Sequence, residues 1–262
     1  MALTIEGVDL ELVSNVSDEQ VAANVAEALA LGLPELQELP ATRSPLSIVG
    51  GGPSLRQTLP EIQARYANGQ TIWALNGAHD WLIANGVIPE AAWLVDSRAD
   101  NVRFFRKPDH RVLYYIASRC HPLVFRALKG YAVTLWHCFN CATVLPPGAK
   151  TLIGGGTTVG GKAMAAAFAL GYRDMHLYGF DSSYADETHH AYPQPMNDGE
   201  EVIDVTVAGR TFKSTAWMLG QVKSFGLYAP MLAEEGCEIH AHGDGLLQWT
   251  ARAMMQPAEL AA

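Results

Sequence analysis

From residue 46 onward the chain alternates short apolar runs, rich in β-branched and aromatic residues and closed by Gly, Asn or Asp, with stretches of helical character. Strands buried on both faces read as continuous apolar runs, and parallel neighbours need a crossover between them. The alternation therefore predicts βαβ units in an α/β fold, a mostly parallel sheet with helices on both faces. The runs are SIVG (47–50), TIWAL (71–75), AAWLVD (91–96), VLYYIAS (112–118), AVTLWHC (132–138) and MHLYGFD (175–181). Helices fit LRQTLPEIQARYANG, AHDWLIANG, ADNVRFFRK, PLVFRALKG and the small-residue segment GGKAMAAAFALG. Most of these end in Gly, as a left-handed C-cap requires.

After Asp181 the texture changes to a polar stretch, SSYADETHHAYPQPMNDGEE, and then a β-hairpin insertion turning at Ala208-Gly209. A long helix from about Thr215 to Glu235, a last strand CEIHAH and a glycine-rich turn GDGLL complete the chain. In front, residues 1–45 read as an N-terminal helical arm, with Ser17 capping a helix and Pro34 and Pro40 interrupting the segment between that helix and the first strand. Residues 46–262 then make one domain.

With 49% hydrophobic residues in 262, the chain can bury a substantial core. Its net charge of −9, from 27 acidic and 18 basic residues, argues against a broad nucleic-acid surface. The amino terminus lacks a cationic start followed by an apolar run, and no stretch approaches the roughly 20 apolar residues of a membrane helix. A soluble, cytoplasmic protein is expected. Cys120, Cys138, Cys141 and Cys237 read as thiols. Cys138 and Cys141 form a C-x-x-C pair beside His137, but no second pair completes a zinc site.

Four strand ends carry candidate chemistry. Gly51, Gly52, Pro53 and Ser54 stand where a strand hands over to a helix, and glycines with a hydroxyl at a helix start suit a phosphate. Leu55 occupies the place where a dinucleotide motif wants glycine. The next two strands end in Asn76 and in Asp96, the latter a candidate Mg²⁺ or ribose ligand, since ligands of open parallel sheets bind beyond the strands' carboxyl ends. Gly155, Gly156, Thr157 and Thr158 open the small-residue helix as a second anion loop. Finally Asp181 ends a strand, and the loop after it carries Tyr184, His189 and His190, a carboxylate and imidazoles fit for metal binding or acid–base work. Lys213 and His242 are weaker candidates.

The segments IVGGGPSL, ALNGAHDWLIANGVIPEAAWLVDSR, IGGGTTVGGKAMAAAFALGYRDMHLYGFDSSY and THHAY together resemble the MptE-like family. That family includes 6-hydroxymethylpterin diphosphokinases of archaea and the central domain of Maf, the motility-associated flagellin glycosylation factor. The resemblance spans roughly residues 46 to 192. It implies a Rossmann-like sheet, a nucleotide or nucleotide-sugar donor, and Mg²⁺ at Asp96 and Asp181. It also implies a donor loop at Gly51 to Ser54, a second loop at Gly155 to Thr158, and a last motif at Asp181 and His190. The acidic run of the diphosphokinases after the second glycine loop is replaced here by Thr-Thr-Val-Gly-Gly-Lys, and GFDSSY with THHAY looks more like the Maf branch. The leading expectation is thus a Maf-like glycosyltransferase acting on a small-molecule, glycan or protein acceptor, with His190 assisting the acceptor hydroxyl. An ATP-dependent diphosphokinase is the alternative, and a non-catalytic nucleotide-binding module the third.

Overall fold

The computed structural model describes residues 16–145, 151–194 and 199–255. The first fifteen residues of the expected arm lie outside these. The arm's helix, α1 (Asp18–Ala30), starts where Ser17 accepts a hydrogen bond from the Gln20 amide, and it buries Val21, Val25 and Ala28 in the main core.

The sheet strands are β1 (Thr42–Val49), β2 (Thr71–Leu75), β3 (Ala91–Leu94), β4 (Leu113–Ala117), β5 (Val133–Cys138), β6 (Leu152–Ile153) and β7 (Tyr172–Tyr178). The antiparallel hairpin is β8 (Ile203–Val207) with β9 (Arg210–Ser214), and β10 (Glu238–His242) returns to the main sheet. Eight strands lie in the order β10-β7-β1-β2-β3-β4-β5-β6, every neighbouring pair parallel. One face carries α2 (Leu55–Ala67) and α3 (Ala78–Ala84), packed over Val49, Ile72, Ala74 and Tyr178. The larger core gathers Leu46, Ile48, Trp73, Trp93 and Leu177 with α1, α5 (Val159–Ala169) and α6 (Ala216–Glu234). Between β4 and β5 lies α4 (Pro122–Ala127).

β3 and β7 end at Leu94 and Tyr178, short of Asp96 and Asp181, and the structure departs from the sequence reading in four other places. First, β1 begins at Thr42, ahead of the apolar run, and Pro45 is accommodated by a register irregularity against β7. Second, ADNVRFFRK forms a 3₁₀ helix over Ala99–Phe105 whose first closure is the Asn101 amide on the Arg98 carbonyl. Third, β6 is a two-residue strand paired with His137 and Cys138, too short to show any periodicity. Fourth, α7 (Leu246–Met255) follows the glycine-rich turn. Its first amides are capped from far away in the chain: Leu246 donates to Ser183 Oγ and Leu247 to the Asp181 carbonyl.

Order within the sheet creates one special place. From β1 the chain steps outward through β2 to β6, then returns to lay β7 on the other side of β1. At this switch point the loops leaving β1 and β7 diverge, and a crevice opens beyond their carboxyl ends.

Candidate active site

A cleft of about 630 Å³ occupies the switch point. Its walls include Gly51 and Gly52 after β1, Asn76 after β2, Asp96 after β3, and Asp181 after β7. The start of α5 supplies Gly156, Thr157 and Thr158, and His189 and His190 come from the polar loop. Two glycine turns that are about a hundred residues apart thus share one cavity, because α5 crosses from edge strand β6 back to β7, the neighbour of β1. Gly160 lets it come close, since a Cβ there would stand 2.7 Å from the Phe180 ring.

The first turn works differently from a bare phosphate cradle. Gly50 donates to the Tyr178 carbonyl and Gly52 to the Gly179 carbonyl, so those amides stitch β1 to β7. Ser54 gives Asp181 both its amide (3.3 Å) and its hydroxyl (2.9 Å). The Asp181 side chain is buried, and a Cβ on Gly52 would overlap its carboxyl. Pro53 and Ser54 therefore do not line the cleft, and Ser54 holds Asp181 from behind its wall. Burial raises the Asp181 carboxyl to about 6 against the partial offset of the Ser54 hydrogen bonds.

The polar loop is strapped onto the same turn. Ala191 donates its amide to the Gly51 carbonyl at 2.9 Å, and Arg56 Nε donates to the Ala191 carbonyl at 2.7 Å. This puts His190 and Tyr192 directly over Gly51, whose absent Cβ would lie 2.6 Å from the Tyr192 hydroxyl. Burial pulls His190 down to about 4, so its imidazole is neutral at ordinary pH, and burial pushes the Tyr192 phenol up. Gln194 Nε2 lies 2.9 Å from His190 Nε2. With the amide so oriented, the imidazole proton sits on Nδ1.

Three cleft residues carry buried polar atoms with no hydrogen-bond partner among the described residues: Asn76 Oδ1, His190 Nδ1 and Gln194 Oε1. Buried polar atoms are nearly always paired, and these three offer one donor or acceptor site each to whatever fills the cleft. Asn76 and Ser182, both cleft residues at strand ends, also hold left-handed backbone, with φ of 50° and 51°.

Positive charge enters from residues that the spacing of motifs did not single out. Lys162, on the first turn of α5 and almost fully buried, reaches the Gly154 carbonyl at 3.5 Å, and Arg119 Nε donates to Ser97 Oγ at 2.8 Å. Both line the cleft beside the α5 N-terminus, whose cap is Thr158 accepting from the Gly161 amide. The readable signal for Lys162 was the Thr-Thr-Val-Gly-Gly-Lys run itself, since a residue at the fourth helical position faces back over the first turn.

Other expected residues fall elsewhere. Gly155 sits beneath the cleft, where its φ of +86° and its contact with the Gly161 backbone leave no room for a side chain. Tyr184 packs against His189 at 5.0 Å but does not line the cavity. Lys213 is exposed and pairs with Asp204 across the hairpin at 3.6 Å. His242 stacks on Tyr178 at the sheet edge. The C-x-x-C pair is buried and unbridged, with Cys141 lowered by a hydrogen bond from Cys138 and by Arg119 and Lys162. His137 turns to Ser118 and Glu35 instead.

As arranged, the donor set expected for Mg²⁺ does not fit a hard cation well. Asp96 is gripped by Arg98 through Nε (3.0 Å) and Nη2 (2.6 Å), and both Asp181 oxygens accept from Ser54. Among the described residues, neither carboxylate belongs to a cluster of three metal-ligating side chains.

The described helices include none long and apolar enough to cross a membrane. Among solved structures, this chain is similar to the Maf glycosyltransferase from Magnetospirillum magneticum AMB-1, with a TM-score of 0.64 at 19% identity. The match covers 91% of this chain and 41% of that one, so this chain spans about two-fifths of that protein's length, and the likeness is one of fold. No curated protein matches. The model of the family described as 6-hydroxymethylpterin diphosphokinase MptE-like matches residues 19–187, from the start of α1 through β7 and into the loop that bears Asp181. With more than half its length matched in this way, the chain belongs to the MptE-like family.

Proposed function

We propose that the chain is a nucleotide-dependent transferase whose donor is a nucleotide-activated sugar. The observation that carries this reading is the convergence, in one switch-point cleft, of the α5 N-terminus, two cations and a buried carboxyl raised to about 6. Diphosphate binds over Thr157 and Thr158, where the helix dipole, Lys162 and Arg119 meet its charge. Asp181, ionised above pH 6, takes the proton of the acceptor hydroxyl. The acceptor oxygen then bonds to the sugar carbon as the bond to phosphate breaks, and the charge left on phosphate is held by Lys162 and Arg119. His190, neutral with its proton on Nδ1, donates to the bound ligand, and Asn76 Oδ1 and Gln194 Oε1 accept from it.

The family's description favours a second reading, transfer of a diphosphate from ATP to a small alcohol, which would use the same cleft by positioning and electrostatics. Incubating the protein with a panel of nucleotide sugars and, separately, with ATP and candidate alcohols, with and without Mg²⁺, decides between them by mass spectrometry of the products. Sugar nucleotide consumed to free nucleotide supports the first reading, and AMP from ATP the second. Binding without turnover of either donor would leave a nucleotide-binding module and sink both.

A further inference from the structure

Away from the cleft, β7 and β10 place a second group of ligating side chains on the sheet edge. Their register sets Asp174 opposite Glu238, His176 opposite His240 and Tyr178 opposite His242, so alternate residues of both strands share the face under α2. On that face His176 Nε2 lies 3.2 Å and His240 Nε2 3.6 Å from the same oxygen, Asp174 Oδ1. The two imidazoles stack at 4.6 Å with 17° between planes, and both bring Nε2 to that one oxygen. Although approached by both rings, the buried Oδ1 accepts no hydrogen bond among the described residues.

We infer that Asp174, His176 and His240 form a divalent transition-metal site of the zinc type that fastens edge strand β10 to β7. Ligand atoms around a tetrahedral zinc, at about 2.0–2.2 Å from it, stand about 3.3 Å from one another, close to the spacings seen here. Two imidazoles and one carboxylate are a donor set for zinc, cobalt or nickel, in contrast to the oxygen-only sets of magnesium and calcium. His240 is half-exposed, which gives the ion an entry path and leaves a fourth position for water.

The outer shell matches as well. His176 Nδ1 lies 2.9 Å from His242 Nε2, and His242 Nδ1 lies 3.4 Å from Glu61 Oε1. With metal on Nε2, the His176 proton moves to Nδ1 and donates to His242, whose own Nδ1 proton faces the Glu61 carboxylate. Such carboxylate–histidine chains behind a ligating imidazole fix its tautomer. Arg65 Nη2, now 3.0 Å from His176 Nδ1, gives up that contact and keeps Gln70 and Glu61.

No member of the cluster lines the cleft, so the inference stands independently of the transferase reading. Titration of the full chain with Co²⁺ tests it. Visible ligand-field bands of a four-coordinate ion should saturate at one equivalent and be displaced by Zn²⁺, and Zn²⁺ should raise Tm. His240→Ala and His176→Ala should each weaken binding at least ~10-fold, while His110→Ala, away from the cluster, leaves it unchanged. Circular dichroism checks that each variant folds, and His240→Ala, at a half-exposed edge position, decides the matter if His176→Ala does not fold. Absence of saturable bands in the wild type, or bands and midpoint unchanged in His240→Ala, overturns the site.

Discussion

Asp181 draws together most of the local chemistry, and its energetics can be traced from one hydrogen bond to the next. Removing a carboxylate from water disfavours its charge, and the two Ser54 donors only partly offset this, so the group moves from 3.8 to about 6. Ionising it in the folded protein then opposes folding by about 3 kcal/mol. Its favourable contribution is accordingly whole below pH 3.8 and is lost as pH rises through about 6. His190 acts in the opposite sense over the overlapping range, contributing stability above 6.5 that is lost as pH falls through about 4. Chemical denaturation of Asp181→Asn and wild type across pH 4 to 8 isolates the carboxyl. The difference between them should move in the variant's favour as pH rises, and a flat difference would remove the raised carboxyl from the account. The same substitution should lower turnover by about 100-fold or more if Asp181 is the base. Wild-type activity should rise along an acid limb near pH 6. Lys162→Met tests the cation separately: with the helix start intact, nucleotide affinity should drop by about 10- to 100-fold, the worth of a charge-assisted hydrogen bond. Unchanged affinity by calorimetry would take Lys162 out of the site.

The helix that carries Lys162 shows how an element is placed and how far its placement was legible. α5 is rich in Gly and Ala, packs against β1, β3 and β7, and presents its capped start to the cleft. Thr158→Ala removes the cap and should cost about 1 kcal/mol. Gly160→Ala should cost more, about 1 to 3 kcal/mol, because the new methyl lies 2.7 Å from Phe180 and 3.1 Å from Gln221. Denaturant midpoints check the order, and equal losses would mean that α5 is not held by close approach. This helix, like β2 and β4, could be read directly, since its composition and the glycines around it belong to one continuous segment, whereas β7 runs Tyr172–Tyr178, starting ahead of the MHLYGFD run. The 3₁₀ turn, β6 and α7 could not. Two residues have no period, and the caps of α7 come from Ser183 and Asp181, more than sixty residues earlier. The site divides in the same way. Glycines and strand-end carboxylates were visible because strand ends emerge from the pattern, and Tyr192 stands in the THHAY segment, whereas Arg119 and Gln194 reach the cleft only through the way elements stack. Sequence likewise could not reveal that Ser54 spends its donors on Asp181.

In the molecule as a whole, the sheet order makes the switch point a junction of distant segments: β1 and β7 supply its floor, α5 one wall and the strapped loop its roof. A ligand filling such a cleft meets groups from along the whole chain, so its binding free energy should appear in the cooperative unfolding of the whole unit. Donor present at 100 times its Kd adds about 2.7 kcal/mol to stability. For a domain of this size that is a rise in Tm of roughly 5 to 10 °C. Melting scans across nucleotide sugars, nucleotides and ATP should therefore show a large shift for one nucleotide class and small ones for the rest. The shift should shrink in Lys162→Met, because that ammonium holds the phosphate. In Asp181→Asn it should persist while turnover disappears, since Asp181 acts on the acceptor's proton and not on the donor's phosphate. Should Asp181→Asn abolish donor binding and turnover alike while still folding, the carboxyl would belong to the donor subsite, and the division of labour between the β7 loop and α5 would have to be reversed.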